Sequence, residues 1–173
     1  MKRILASFSA LLLTSAVASA VMLGQGTQAL RLSGFFDPDT VAGTRFDLEV
    51  GYGYFVVDYL EIGGSVGIYT DSIVDTYILR GYTEYNFDTA TPIVPFAGLA
   101  LSLYNSDVKF ADTKESSSAA AIKLYGGSKY FMTQNLAITG TAGFEVATDD
   151  VFPQKRSVSN TDFRIELGLR YYF

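Results

Sequence analysis

Acidic and basic side chains recur at alternate positions in several stretches of the chain, and their types allow three kinds of chemistry. They could form ion pairs, line a pore, or act as acid and base in catalysis. The set comprises Arg31, Asp47, Glu49, Glu61, Arg80, Glu84, Lys123, Lys129, Glu145, Asp162, Arg164, Glu166 and Arg170. Its two signs nearly cancel, which is typical of charges that pair in a closed interior. We therefore expect a structural ion network.

Catalysis and cofactor binding have little support in the sequence. The chain has no histidine and no cysteine, so it has neither an imidazole base nor a thiolate nucleophile. Neighbouring carboxylates such as Asp47 and Glu49 are expected to serve salt bridges, and we predict a protein that is not an enzyme and needs no cofactor.

Metal binding is also weakly supported. Asp37 and Asp39 flank a proline, and Asp149 and Asp150 are adjacent, but the Asp-x-Asp-x-Asp-Gly spacing of a calcium loop is absent. We predict no metal site, and interpret these residues as solvated carboxylates of turns. The basic residues Lys109, Lys114, Lys155 and Arg156 are interpreted as charged loop tips, with lipopolysaccharide phosphates as a second reading.

The elements that position the charges are β-strands. Residues 162–173 show the pattern best, because every second residue is apolar. The apolar set is Phe163, Ile165, Leu167, Leu169, Tyr171 and Phe173, and the other set is Asp162, Arg164, Glu166, Gly168, Arg170 and Tyr172. Strict alternation over this length predicts a strand with one apolar and one charged face, and a helical period does not fit it.

The same alternation predicts eight strands of roughly nine to twelve residues. Long connections are expected at 37–44, 70–75, 105–117 and 148–161, and tight turns near 58–59, 88–93 and 132–135. All four prolines lie in connections or at a strand start, where a missing N–H does no harm. Alternating long and short connections predict an all-β, eight-stranded, antiparallel up-and-down barrel.

The amino-terminal residues and the net charge of the chain indicate an exported protein that does not bind nucleic acid. Lys2, Arg3, an apolar run and Ala18-Ser-Ala20 predict a cleaved signal peptide over 1–20, followed by one barrel domain over 21–173. Residues 21–26 are expected to be a short mobile lead. The formal net charge of −5 argues against nucleic-acid binding.

Two barrels fit the alternation: a soluble, lipocalin-like ligand carrier with the apolar set inside, and a membrane barrel with that set against lipid. An eight-stranded lumen has little room, so bulky Leu, Ile, Phe and Tyr side chains suit the outside. If the polar set faced lipid instead, each charge near the bilayer midplane would destabilise the barrel by roughly 2–4 kcal/mol. Together they would exceed the ~5–15 kcal/mol by which a domain is stable. The membrane barrel is therefore favoured.

Aromatic residues of the apolar set support this orientation. They gather near strand ends, as expected of two girdles at the membrane interfaces. This group contains Phe36, Phe46, Tyr77, Tyr85, Phe87, Tyr130, Phe163, Tyr171 and Phe173. Tyr52 and Tyr54 have no clear place in it.

The chain resembles small eight-stranded bacterial outer-membrane proteins of the OmpA/OmpX type, in the porin-like or opacity-like group. The residues that carry the resemblance are Ala18-Ser-Ala20, the ending Leu167-Gly-Leu-Arg-Tyr-Tyr-Phe173, Pro95-Phe-Ala-Gly-Leu-Ala-Leu101 and Lys129-Tyr-Phe-Met-Thr-Gln-Asn-Leu-Ala-Ile138. The resemblance implies that Leu167, Leu169, Tyr171 and Phe173 form a carboxy-terminal assembly signal read by the barrel-insertion machinery. It also implies periplasmic tight turns and extracellular long connections.

The expected function follows from the resemblance and the ion network. We expect a monomer in the outer membrane of a Gram-negative bacterium, surrounded by lipid and lipopolysaccharide and escorted by periplasmic chaperones during assembly. Its role would be structural or in surface interaction, with a lumen plugged by ion pairs. The alternatives are a narrow channel for ions or small apolar solutes, and the soluble ligand carrier.

Overall fold

A computed structural model describes residues 23–40, 43–70, 74–108, 116–153 and 158–173. The predicted signal peptide and the basic residues Lys109, Lys114, Lys155 and Arg156 lie outside these ranges. The described ranges contain no helix long and apolar enough to cross a membrane.

Eight antiparallel strands close into a barrel. They are β1 (Gln28–Thr40), β2 (Gly43–Val57), β3 (Leu60–Thr70), β4 (Val74–Asn86), β5 (Ile93–Val108), β6 (Ser116–Phe131), β7 (Leu136–Ala147) and β10 (Thr161–Tyr172). Each strand pairs with its neighbour in the chain, and β1 pairs with β10 to close the sheet. A separate two-stranded pair, β8 (Phe152–Pro153) and β9 (Val158–Ser159), lies in the connection between β7 and β10. The predicted fold class is confirmed.

The strands are longer than the sequence predicts, at eleven to sixteen residues. Residues 37–40 and 43–44 belong to β1 and β2, and residues 105–108 and 116–117 belong to β5 and β6, so the expectation that they were connections is wrong. A span needs only about nine to eleven tilted residues, so the strands can extend beyond the hydrocarbon layer, where alternation is no longer required. The three tight turns are where the sequence places them.

Buried and exposed side chains alternate along the strands, in the order that the sequence predicts. Most large apolar side chains on the outer face are between 36% and 68% exposed, as for Leu48 and Leu167. Charged residues from the predicted set lie on the inner face. The predicted orientation of the two faces is confirmed.

The outer aromatic residues lie towards the two rims. We call the rim with both chain ends of the barrel and the tight turns the turn end, and the opposite rim the loop end. Tyr54 pairs in register with Gln28, and the Tyr52 hydroxyl donates to Gln28 Oε1 at 2.7 Å. Both tyrosines therefore belong to the girdle at the turn end, which the sequence alone does not reveal.

The predicted mobility of the lead is wrong for residues 23–26. Leu23 is 2% exposed and packs inside the turn end of the barrel. The backbone N–H of Gly26 donates to Phe55 O at 2.9 Å, and that of Tyr59 donates to Leu23 O at 2.8 Å. Because these bonds tie the lead to β2 and its turn, the segment is part of the folded barrel.

Candidate functional site in the barrel lumen

The candidate site is the lumen, where the inner faces of all eight strands meet. The thirteen charged residues singled out in the sequence all point into it, and they fall into two groups along the barrel axis. The turn-end cluster contains Arg31, Glu61, Glu84, Lys129 and Arg170. The loop-end cluster contains Asp47, Glu49, Arg80, Lys123, Glu145, Asp162, Arg164 and Glu166.

Glu84 is the centre of the turn-end cluster. Its fully buried carboxylate accepts two hydrogen bonds from Arg170, Nη1 to Oε1 at 2.5 Å and Nη2 to Oε2 at 2.9 Å. Lys129 Nζ lies 2.8 Å from Oε1, and Arg31 Nη2 lies 3.8 Å from Oε2. This bidentate, charge-assisted geometry joins β4 to the opposite wall of the barrel.

Glu61 completes the cluster from β3. The Tyr82 hydroxyl donates to Glu61 Oε1 at 2.7 Å, while Lys129 Nζ and Arg170 Nη1 each lie 3.6 Å from Oε2. Aromatic faces enclose the cations: the Arg31 guanidinium lies 4.0 Å from the Tyr82 ring centre, and that of Arg170 lies 4.8 Å from the Phe96 ring centre. Desolvated contacts of this kind favour a charged guanidinium.

Arg80 is the centre of the loop-end cluster. It forms an ion pair with Glu49, donates from Nε to Ser102 Oγ at 2.9 Å, and lies 3.6 Å from Glu145. Ser102 in turn donates to Glu145 Oε1 at 2.9 Å. One guanidinium therefore links β2, β4, β5 and β7.

Two further pairs fill the same half of the lumen. Lys123 Nζ lies 2.8 Å from Glu166 Oε1. Arg164 lies 3.0 Å from Asp47 and 2.8 Å from Asp162. Three of these side chains are more exposed than those of the turn-end cluster, since Glu166, Arg164 and Asp162 keep between 23% and 24% of their side-chain surface accessible.

Inner-face glycines make room for two large side chains of the network. A Cβ at Gly63 would collide with the Tyr82 ring, and one at Gly98 would lie 2.5 Å from Tyr125 Cζ. The tyrosine rings can therefore lie flat across the sheet only because these positions lack a side chain. These two glycines therefore have a packing role.

Apolar clusters lie at both ends of the lumen, and the sequence analysis missed them. At the turn end, Leu23 packs with Phe55, Val94, Phe131 and Tyr172. At the loop end, Phe152 of the β8–β9 pair is 3% exposed, and its ring meets the Tyr104 ring edge-on at 5.4 Å. We call the cluster at the turn end the floor and the cluster at the loop end the roof.

A signal for the floor was present in the sequence. Phe55, Val94, Phe131 and Tyr172 are apolar or aromatic residues at inner-face positions close to tight turns or to the chain end. The alternation of the strands alone shows that these side chains point inward. Because all four lie at the same end of the barrel, they are expected to contact one another. No comparable pattern marks Phe152, because it lies in a connection.

Little space remains between the two ion clusters. A cavity of about 30 Å³ lies between the two ion clusters. A second cavity, of about 190 Å³, lies nearer the loop end, beside Asp162 and Arg164. Since a water molecule needs about 10–15 Å³ measured this way, the central cavity has room for roughly two.

The remaining predicted residues lie on the outer face. Leu167, Leu169, Tyr171 and Phe173 of β10 and the chain end are between 43% and 68% exposed. No group of three or more His, Cys, Asp or Glu side chains within the described ranges could hold a metal ion.

An eight-stranded antiparallel barrel with an apolar outer face and an ionic lumen has the architecture of small transmembrane β-barrels. No protein-family model matches the sequence, and no curated protein matches it. Solved structures do match, and they include outer-membrane proteins.

Three of these structures are informative about the fold. The amino-terminal β-barrel domain of Pseudomonas aeruginosa OprF has a TM-score of 0.65 and 18% identity, covering 87% of this chain and 99% of that one. Neisserial surface protein A (NspA) has a TM-score of 0.61 and 19% identity, with coverages of 85% and 96%. Ail, the attachment invasion locus protein of Yersinia pestis, has a TM-score of 0.54 and 12% identity, with coverages of 86% and 99%. At these identities the likeness concerns the fold.

Proposed function

We propose that this chain is a non-catalytic barrel of a Gram-negative outer membrane, with a structural or surface-interaction role and a lumen that does not conduct. In this proposal the signal peptide over 1–20 is removed, and the domain over 21–173 works as a monomer. Both chain ends and the tight turns face the periplasm, and the loop end faces the outside.

The observation that carries the proposal is the filling of the lumen. Two ion clusters, the floor at Leu23 and the roof at Phe152 leave a central cavity of about 30 Å³. A hydrated ion would have to displace buried, mutually paired charges, which costs several kcal/mol for each ion left unpaired. The lumen therefore stabilises the barrel and offers no open path.

The proposed partners follow from the two surfaces of the barrel. The outer apolar face requires lipid, and lipopolysaccharide would surround the loop end. The barrel-insertion machinery would recognise Leu167, Leu169, Tyr171 and Phe173 on the last strand, and periplasmic chaperones would carry the chain there. A surface role is supported by the names of two similar structures, a surface protein and an attachment invasion locus protein.

The decisive experiment is conductance in a planar bilayer with the refolded mature chain. We expect no steady openings from the unaltered protein. Arg80→Gln combined with Arg164→Gln should produce openings if the ion pairs act as a latch, whereas Asp88→Asn, in an exposed turn, serves as the control. Steady openings of the unaltered barrel would contradict the closed lumen and favour the narrow channel.

A second experiment tests the membrane setting independently of conductance. The folded barrel should need detergent, partition into the detergent phase and migrate differently on a gel before and after boiling. A folded particle that remains in aqueous buffer without any amphiphile would contradict the membrane proposal, whatever the lumen does.

A further inference from the structure

The central cavity between the two ion clusters has an unusual wall. Its charged side chains are Arg31, Arg80, Lys123 and Arg170 on the one hand and Glu49 and Glu166 on the other. Four cations and two carboxylates therefore line a space of about 30 Å³, and three of these cations also pair with Glu84 or Glu145 behind the wall. A cavity of this size accepts a monatomic ion or roughly two waters, and excludes larger solutes.

The turn-end cluster beneath the cavity carries one excess positive charge. It contains three cations, Arg31, Lys129 and Arg170, and two carboxylates, Glu61 and Glu84. Arg31 is the least compensated cation. Its guanidinium is 3.8 Å from Glu84 Oε2, an oxygen that already accepts a hydrogen bond from Arg170 at 2.9 Å.

Unused donors accompany the excess charge. Arg170 Nε and the Tyr125 hydroxyl are buried, and no hydrogen bond of good geometry reaches either atom within the described part of the chain. Both residues line the cavity, and they are 2% and 6% exposed. Leaving buried donors unsatisfied destabilises the folded state, and more so when the group is charged.

We propose that this cavity binds a small inorganic anion of the size of chloride. An anion is an acceptor without donors, so it matches Arg170 Nε–H, the Tyr125 O–H and the Arg31 guanidinium. It also compensates the excess positive charge, which bound water cannot do. The site depends on the side chains that line the cavity, and its occupancy is measured separately from conductance.

Bromide provides a direct test on the unaltered protein, since its anomalous scattering identifies it in crystals. The refolded barrel would be crystallised from sodium bromide in place of sodium chloride. We expect an anomalous peak inside the lumen beside Arg31, Tyr125 and Arg170. A cavity without such a peak, or with bromide only on the protein surface, would overturn the proposal.

Solution stability provides a second test that compares chloride with gluconate at constant ionic strength. Above the dissociation constant, each tenfold rise in chloride should lower the unfolding equilibrium constant about tenfold, because the anion binds only the folded state. Arg31→Gln and Tyr125→Phe should reduce this dependence.

The matched control is Arg164→Gln, which removes a lumen guanidinium that does not line the central cavity. It should keep the chloride dependence of the unaltered chain. Equal stability of the unaltered barrel in chloride and gluconate would contradict the site. A chloride dependence that persists in Arg31→Gln would contradict its location.

Discussion

Glu84 shows how one residue can hold a membrane barrel together. Its carboxylate is fully buried and contacts three cations, from β1, β6 and β10. Glu84 and Arg170 are 86 positions apart in the chain. Alternation in the sequence predicts that both point inward, but the partner of each charge depends on the barrel's register and stagger. The sequence therefore predicts on which face of the sheet each charge lies, but it does not predict which charges pair.

Glu84→Gln should lower the free energy of unfolding by about 3–5 kcal/mol, because it leaves three buried cations with Glu61 as their only carboxylate. Denaturant unfolding in detergent, followed by the shift between folded and unfolded gel bands, measures the loss. Asp162→Asn is the matched control, since that carboxylate is 24% exposed and its partner Arg164, which is 23% exposed, keeps its pair with Asp47. It should cost about 1 kcal/mol or less. Equal losses would show that Glu84 has no special position.

Tyr59 and Asp88 form a second kind of link, between two exposed turns. The Tyr59 hydroxyl donates to Asp88 Oδ2 at 3.0 Å, and the Ala90 N–H donates to Oδ1 at 2.9 Å. The Ala90 bond first, and then the Tyr59 bond, hold the pKa of Asp88 below its usual value of 3.8. The bond to Asp88 also raises the pKa of Tyr59 above its usual 10.0.

The link should therefore stabilise the turns at pH values above the ordinary pKa of Asp and below that of Tyr. Its stabilisation should fade as acid protonates Asp88 and as base ionises Tyr59. We expect a carboxyl ¹³C NMR titration of Asp88 to have its midpoint below 3.8. Tyr59→Phe should move the midpoint part of the way back, because the Ala90 bond remains. An unchanged midpoint in Tyr59→Phe would contradict the link.

Among the elements, the segment over 23–27 has the most specific task. It enters the turn end of the lumen with Leu23 against Phe55 and Tyr172, and its backbone bonds to β2. A sequence reading interprets this stretch as a lead because it is too short for a strand and shows no alternation. The segment is ordered by its contacts inside the turn end of the barrel, so its structure cannot be predicted without the closed barrel.

Leu23→Ala should loosen the floor without unfolding the barrel. A buried leucine truncated to alanine costs about 2–5 kcal/mol, and the segment can detach locally. Hydrogen exchange of the Tyr59 amide, which donates to Leu23 O, should therefore accelerate at least tenfold. Met132→Ala, at an exposed methionine in another tight turn, should leave this exchange unchanged. An unchanged rate in Leu23→Ala would mean that the floor is held by its backbone bonds alone.

The loop ends of the strands show where a pattern of polar and apolar residues no longer predicts a strand. Residues 37–40 and 116–118 are polar or small and lack an apolar alternation, yet they continue β1 and β6. Beyond the hydrocarbon layer both faces of a strand meet polar surroundings. Polarity there does not distinguish a strand from a loop, and the eight strands were predicted with correct faces but short loop ends.

For the whole molecule, the weak point of the closed sheet is the seam between β1 and β10. Its ladder runs only from Ala29↔Tyr172 to Gly34↔Leu167. The β5–β6 ladder, by contrast, runs from Ile93↔Tyr130 to Asp107↔Ser116. Fewer paired backbone groups join the seam than any other neighbouring pair of barrel strands in the described ranges. We therefore expect unfolding to begin there.

A disulfide across the seam tests this expectation. Leu32→Cys with Leu169→Cys joins residues that pair in register on the lipid face, and the absence of native cysteine leaves one possible bond. The bond should stabilise the barrel by about 2–4 kcal/mol. If the seam opens first, much of this gain should appear as slower unfolding. A disulfide between Leu124→Cys and Phe144→Cys, paired across β6 and β7, is the control and should leave the unfolding rate nearly unchanged. Equal slowing by both bonds, or none by the seam bond, would place the first opening elsewhere in the barrel.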